Sequence, residues 1–122
     1  DVLVADGGTR TASISGAFVA LQMTINKLIE EKKVNTNPIR EGLGAISVGI
    51  NKSGQVIADL NYEEDSSCEA DVNVVMTESG KFVEVQGTAE GMPFDRDYLD
   101  NLLKCAEGAM QYVFDAQKKA CL

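Results

Sequence analysis

Apolar positions recur along this chain at two different spacings. Ile14, Ala17, Phe18, Leu21, Ile25, Leu28 and Ile29 follow one another at steps of three, four and seven residues. Those steps place them on one face of a long helix. Small residues (Ala12, Ser13, Gly16 and Ala20) occupy the first turns and predict close packing there. Glu30, Glu31, Lys32 and Lys33 end the helix in solvent, and Asn35-Thr36-Asn37-Pro38 is a cluster of breakers that marks the best candidate domain boundary. Ahead of the helix, residues 2–5 are a short apolar run that predicts the end of a buried strand.

Beyond residue 44 the spacing changes. Residues 45–50 and 56–62 read as two strands around the turn Asn51-Lys52-Ser53-Gly54. An acidic stretch of small residues, 63–70, predicts a helical turn or short helix. Residues 72–77 and 82–86 are a second strand pair around Glu78-Ser79-Gly80-Lys81, followed by a loop over 87–93. Asp95 is placed to cap a last helix, with Phe94 able to staple onto Leu99. Leu99, Leu102, Leu103, Ala106, Met110, Val113 and Phe114 then repeat the helical spacing. From residue 45 the predicted order is β-β-α-β-β-α, an α+β arrangement with helices laid on an antiparallel sheet.

Composition narrows the function classes. At 122 residues the chain is one domain or part of a larger enzyme. Its 44% apolar and 25% charged residues argue against disorder and against a coiled coil. No apolar run approaches the roughly 20 residues that span a bilayer, which predicts no membrane segment. The absence of histidine removes histidine triads, bases and zinc ligands. Cys68, Cys105 and Cys121 form no C-x-x-C pair and read as free thiols of a reducing compartment. A net charge of −8 disfavours a free-standing basic nucleic-acid binder. The start, Asp1-Val2-Leu3-Val4, carries no Met and reads at once as strand, so the chain is expected to be a piece of a longer protein.

Two constellations carry candidate chemistry. In Gly7-Gly8-Thr9-Arg10 the glycines allow a tight turn and close backbone approach, and the helix start offers open N–H groups to an anion. Thr9 adds a hydroxyl and Arg10 a planar fork for two phosphate oxygens. A capped helix start with Arg10 in solvent explains the same residues equally well. The second constellation is Glu63-Glu64-Asp65 with Glu69 and Asp71. A charged run is most often a solvated face. The alternative is a hard oxygen site for Mg²⁺ or Mn²⁺, in which Asp65 and Asp71 face inward. Gln86 and Thr88 could line a site but read more simply as a strand end with turn glycines.

Three segments resemble the ribonuclease PH family. They are Ala5-Asp6-Gly7-Gly8-Thr9-Arg10-Thr11-Ala12-Ser13-Ile14-Ser15-Gly16-Ala17, the stretch from Asp59 to Thr77 containing Asn61-Tyr62-Glu63-Glu64-Asp65 and Ala70-Asp71-Val72, and Glu84-Val85-Gln86-Gly87-Thr88-Ala89-Glu90-Gly91-Met92-Pro93-Phe94. The resemblance covers the whole chain and corresponds to the second half of the family enzymes. It implies residues 1–36 as the last strand and phosphate-binding helix of a first domain like ribosomal protein S5 domain 2, and residues 37–122 as the family's C-terminal domain.

It also implies a phosphorolytic 3′-to-5′ exoribonuclease that trims tRNA precursors with inorganic phosphate and releases nucleoside diphosphates. Gly8, Thr9 and Arg10 match the phosphate-binding segment. Asp65 and Asp71 match the paired catalytic aspartates that bind Mg²⁺ or Mn²⁺ and support general acid chemistry. A cytoplasmic homo-hexamer, a trimer of dimers with RNA as partner and no membrane, is implied as well. The family's further arginine lies in its first half, so these residues alone are expected to be inactive. A catalytically silent ring subunit and a polynucleotide phosphorylase-type domain are the alternatives. Joint retention of Gly8, Thr9, Arg10, Asp65 and Asp71 disfavours the first, and the absence of appended RNA-binding modules disfavours the second.

Overall fold

The computed structural model describes residues 1–121. Seven elements follow in the order α1 (Thr9–Glu30), β1 (Leu43–Ile50), β2 (Val56–Ala58), α2 (Tyr62–Ser67), β3 (Ala70–Thr77), β4 (Phe82–Ala89) and α3 (Arg96–Ala120). From β1 onward the order is β-β-α-β-β-α. The four strands form one sheet in the order β2-β1-β3-β4, with every neighbouring pair antiparallel.

Strand alternation divides the sheet into two chemically different faces. Ile46, Val48 and Ile50 of β1, with Ala70, Val72, Val74 and Met76 of β3, pack against Leu102, Ala106, Met110 and Phe114 of α3. That is the core. Asp95 caps α3 by accepting from Tyr98 N at 2.9 Å, and Lys118 and Lys119 complement its C-terminal dipole. Phe94 packs on the core cluster beside the cap. The opposite face carries Ser47, Asp71 and Asn73, and this polar face positions the site.

β2 holds only three residues and covers only the end of β1, pairing Val48–Ile50. The strand expected over 56–62 ends early because Asp59 turns to φ 55, a left-handed conformation that breaks a ladder and that Asp tolerates better than most residues. Leu60 then drops into the interior, and Asn61 opens α2 with a capping box shared with Glu64. The uncovered edge of β1 is completed by side chains. Ser15 Oγ accepts from Ala45 N at 3.0 Å and donates to Ala45 O at 3.2 Å. The buried Gln117 donates Nε2 to Leu43 O at 2.9 Å and to Ser15 O at 3.1 Å. These bonds dock α1 on β1 and α3.

Three further expectations are corrected. Residues 2–5 form no strand, and Val2, Leu3 and Val4 are exposed. β4 runs on to Ala89 instead of stopping at Gln86. Gly87 is no turn residue, since a Cβ there would press on Val72 at 2.9 Å. The small residues of α1 are not closely packed either: Ala12, Ser13 and Ala20 are exposed, and a Cβ on Gly16 would meet nothing. By length and composition α1 also meets the threshold of a membrane-crossing helix, which the search for a continuous apolar run did not anticipate. A helix that lays one stripe on a sheet meets the same threshold, and the bonds from Ser15 to β1 are of that kind.

Candidate active site

A cavity of about 520 Å³ opens on the polar face of the sheet. Its lining includes Gly8, Thr9 and Arg10 from the tip of α1, Asp65 from α2, and Asp71 and Asn73 from β3. Ser47 of β1 and the entering loop Ala5, Asp6 and Gly7 line it as well. All five residues singled out in the sequence therefore reach one space, although 54 residues of chain separate the first pair of motifs, from Thr11 to Glu64.

The tip of α1 is built to leave its N–H groups open. Gly8 is the N-cap at φ 74 and makes no side-chain cap bond to the first-turn N–H groups. Those N–H groups are the ones an anion would receive, with the helix dipole behind them. Gly7 holds the tip in place: a Cβ there would overlap Leu60 O and the Asn61 backbone. The α1 tip thus rests directly on the peptide that opens α2, and α2 carries Asp65. Sequence reading assigned Gly7 to a tight turn and to close approach of a ligand; the approach seen here is that of the chain's own backbone.

Two side chains differ from the simple cradle expected. Thr9 Oγ1 donates to Asp6 O at 2.9 Å, so its hydroxyl proton ties the entering loop to the helix. Arg10 forms an ion pair with Glu84 of β4 at 2.7 Å, with both side chains substantially exposed. Glu84 holds the guanidinium over the cavity side of the sheet. The Glu84 carboxylate presents the same two-oxygen edge that a phosphate would offer the Arg10 fork.

Asp65 and Asp71 converge because Cys68 turns the chain sharply between α2 and β3. Cys68 N bonds back to Glu64 O at 2.9 Å, and Glu69 N to Ile50 O at 2.9 Å. Burial raises the Asp71 carboxyl above its usual range, and the charges of Asp65 and Glu90 raise it further. The Cys68 thiol is pushed up by burial and then by Asp65, Asp71 and Glu64. In both shifts burial is the larger cause and the neighbouring carboxylates add to it. Among the described residues no group of three His, Cys, Asp or Glu side chains forms a metal cage. Two carboxylates beside a phosphate position are, however, the donor set that Mg²⁺ commonly uses. Glu63, Glu64 and Glu69 do not line the cavity; Glu64 is committed to the capping box. Gln86 and Thr88 lie exposed on β4 outside it.

The 3′ exoribonuclease family, domain 2, matches residues 43–109. The chain belongs to that family. Ribonuclease PH of Bacillus subtilis (strain 168) is 56% identical over 119 residues, which are 98% of this chain and 49% of that protein. The chain thus spans about half the length of the curated relative it matches. Among solved structures, rice Rrp46 superposes with a TM-score of 0.74 at 18% identity, over 98% of this chain and 51% of Rrp46. An Archaeoglobus fulgidus exosome with RNA bound to the active site gives a TM-score of 0.54 at 16% identity, over 72% of this chain and 35% of its own. At these identities the structural likeness shows the fold: a ribonuclease PH-like C-terminal domain of α+β class. In this family member the matched residues contain the whole sheet together with Asp65 and Asp71, while the α1 tip precedes them.

Proposed function

We propose that the full-length protein is a phosphorolytic 3′-to-5′ exoribonuclease that trims the 3′ ends of tRNA precursors. The observation that carries this reading is the cavity shared by an open helix tip with its arginine and by two aspartates. Identity of 56% to a ribonuclease PH supports it.

Phosphorolysis brings orthophosphate against an anionic phosphodiester, so the first requirement is neutralisation. The N–H groups of Gly8, Thr9 and Arg10 and the Arg10 guanidinium hold and orient the phosphate. An oxygen of that phosphate forms a bond to the terminal phosphorus. The bond from phosphorus to the 3′ oxygen of the preceding nucleotide breaks, and a nucleoside diphosphate leaves. The departing 3′ oxygen needs a proton, which the aspartate pair is placed to support. Asp65 and Asp71 would hold Mg²⁺ or Mn²⁺, whose chemistry when bound is charge neutralisation at phosphate oxygens. No histidine base is required, because phosphate is itself a competent nucleophile.

The assembly we propose is a homo-hexameric ring, a trimer of dimers, in the cytoplasm with no membrane partner. Its support is the occurrence of this fold in exosome cores. The domain division at residues 36 and 37, with residue 122 just outside the described range, belongs to the same proposal.

Full-length Arg10→Ala lowers phosphate-dependent release of nucleoside diphosphates from tRNA precursors at least about 100-fold with the fold intact. RNA cleavage by the wild-type protein that is indifferent to orthophosphate overturns the reading. Absence of any RNA cleavage favours a silent ring subunit.

A further inference from the structure

One polar atom in the cavity has no partner. Ser47 is 4% exposed, and its Oγ is a buried side-chain oxygen that makes no hydrogen bond with any described residue. A buried hydroxyl of this kind is uncommon, because burial strips its water and folding ordinarily supplies a substitute. Its neighbours explain the burial without explaining the vacancy in bonding. Ser47 sits in the middle of β1, paired with Asn73 of β3, and its own carbonyl accepts from Asp59 N at 2.7 Å. The carbonyl of Ser47 is satisfied; its side chain is not.

Direction supplies the second half of the argument. Ile46 and Val48 on either side point into the core, so Ser47 points to the opposite face, into the cavity it lines. The cap of α1 lies directly over it: a Cβ on Gly8 would stand 3.4 Å from Ser47 Oγ. The lone hydroxyl and the open N–H groups of the helix tip therefore border the same small volume from two sides. Thr11 Oγ1 stands 3.3 Å from the same Cβ position, and its proton is committed to Gly8 O at 3.0 Å.

We propose that Ser47 is a further phosphate-binding residue, its hydroxyl donating to an oxygen of the inorganic phosphate seated at the tip of α1. The inference rests on the phosphorolytic reading for the identity of the anion. In chemical terms, the helix tip and Arg10 supply donors from one side of a tetrahedral anion, and Ser47 supplies one from the sheet beneath it. A rotatable hydroxyl suits this place, because its proton can follow whichever phosphate oxygen is presented. The family's Gly8-Thr9-Arg10 segment fixes where the anion sits; Ser47 fixes how far it descends toward Asp71 and Asn73.

The test uses the full-length protein, inorganic phosphate as probe, and two readouts. In the first, phosphate is titrated against thermal stability. Wild-type protein gains stability with phosphate, Ser47→Ala requires about tenfold more phosphate for the same gain, and Ser47→Thr, which keeps the hydroxyl, is restored toward wild type. Without phosphate, Ser47→Ala is no less stable than wild type, since no bond is lost. In the second, the KM for phosphate rises about tenfold in Ser47→Ala while the KM for RNA is unchanged. An unaltered phosphate titration in Ser47→Ala overturns the proposal and leaves the phosphorolytic reading standing. A loss of phosphate-free stability assigns the hydroxyl a structural role and also overturns it. A raised KM for RNA with an unchanged KM for phosphate moves the bond to the scissile phosphodiester, and the proposal fails. Phosphate stabilisation that depends on Ser47 without any phosphate-dependent RNA cleavage leaves this site intact and removes the proposed activity.

Discussion

At the scale of single residues, the site is held together by an absent side chain and a crowded one. Gly7 has no Cβ, and the tip of α1 presses on the Leu60–Asn61 peptide in the space so left. Gly7→Ala forces the two apart, since the obstacle is backbone and does not yield as a flexible side chain would. The expected cost is about 2 kcal/mol of stability, read from the urea midpoint, with a weakened phosphate titration alongside it. Asp71 is the crowded one. Burial, then Asp65, then Glu90 raise its carboxyl above the ordinary range. Its folded pKa therefore lies above its unfolded one. The stabilising contribution is complete below the ordinary aspartate pKa of about 4 and is lost as pH rises through the folded value. Asp71→Asn removes that loss. In metal-free buffer the variant gains about 2 °C in Tm over wild type at neutral pH, and the gap closes as the solution is acidified below pH about 4. An equal gap at both pH values contradicts the cause assigned to the shift. Gly8, Thr9, Arg10, Asp65 and Asp71 were legible in the sequence because each belongs to a local signature, a helix start or an acidic run. Ser47 was not. It sits in the apolar run Ala45-Ile46-Ser47-Val48-Gly49-Ile50, where one hydroxyl reads as an ordinary outward position, and only the absence of a partner in three dimensions distinguishes it.

At the scale of elements, the decisive feature is the mismatch between β1 and β2. β1 has eight residues and β2 three, so half of one edge of β1 needs partners from elsewhere. Ser15 supplies both a donor and an acceptor to Ala45, a side chain standing in for the missing strand. Ser15→Ala leaves the Ala45 N–H and C=O unpaired and costs about 1–2 kcal/mol. Amide exchange at Ala45 accelerates in that variant, whereas exchange at Gly49, which β2 covers, changes little. Equal acceleration at both positions contradicts the local role assigned to Ser15. The same mismatch explains which elements the pattern foretold. Core alternation and helical spacing placed β1, β3, α1 and α3 because those signals depend on burial alone. The length of β2 depended on Asp59 adopting a left-handed conformation, and that of β4 on Gly87 making room for Val72; neither requirement leaves a trace in hydrophobic periodicity. The run at residues 2–5 is apolar and still no strand, since periodicity reports burial and not pairing, and none of the four strands pairs with it.

At the scale of the whole molecule, charge poses the sharpest requirement. The chain carries −8, three of its acids (Asp6, Asp65 and Asp71) line the cavity, and the proposed reaction adds a phosphate and a polyanionic RNA. Arg10 is the only cation in the cavity lining, and it is shared with Glu84. One guanidinium and the partial charge of one helix tip do not balance three carboxylates, a phosphate and an RNA phosphodiester gathered at one cavity. On the proposed reading, Asp65 and Asp71 would hold a divalent cation, which would supply the missing charge. Chelation with EDTA should therefore abolish nucleoside diphosphate release from the full-length protein by at least about 100-fold, with Mg²⁺ or Mn²⁺ restoring it. Restoration fails in Asp65→Asn and Asp71→Asn at any metal concentration, because the donors themselves are gone. Added monovalent salt does not substitute, since screening weakens attraction and repulsion alike and leaves no charge at a fixed point. Undiminished turnover in EDTA would mean that the cavity balances its charge without a metal, and the aspartate pair would then need a role in proton transfer alone.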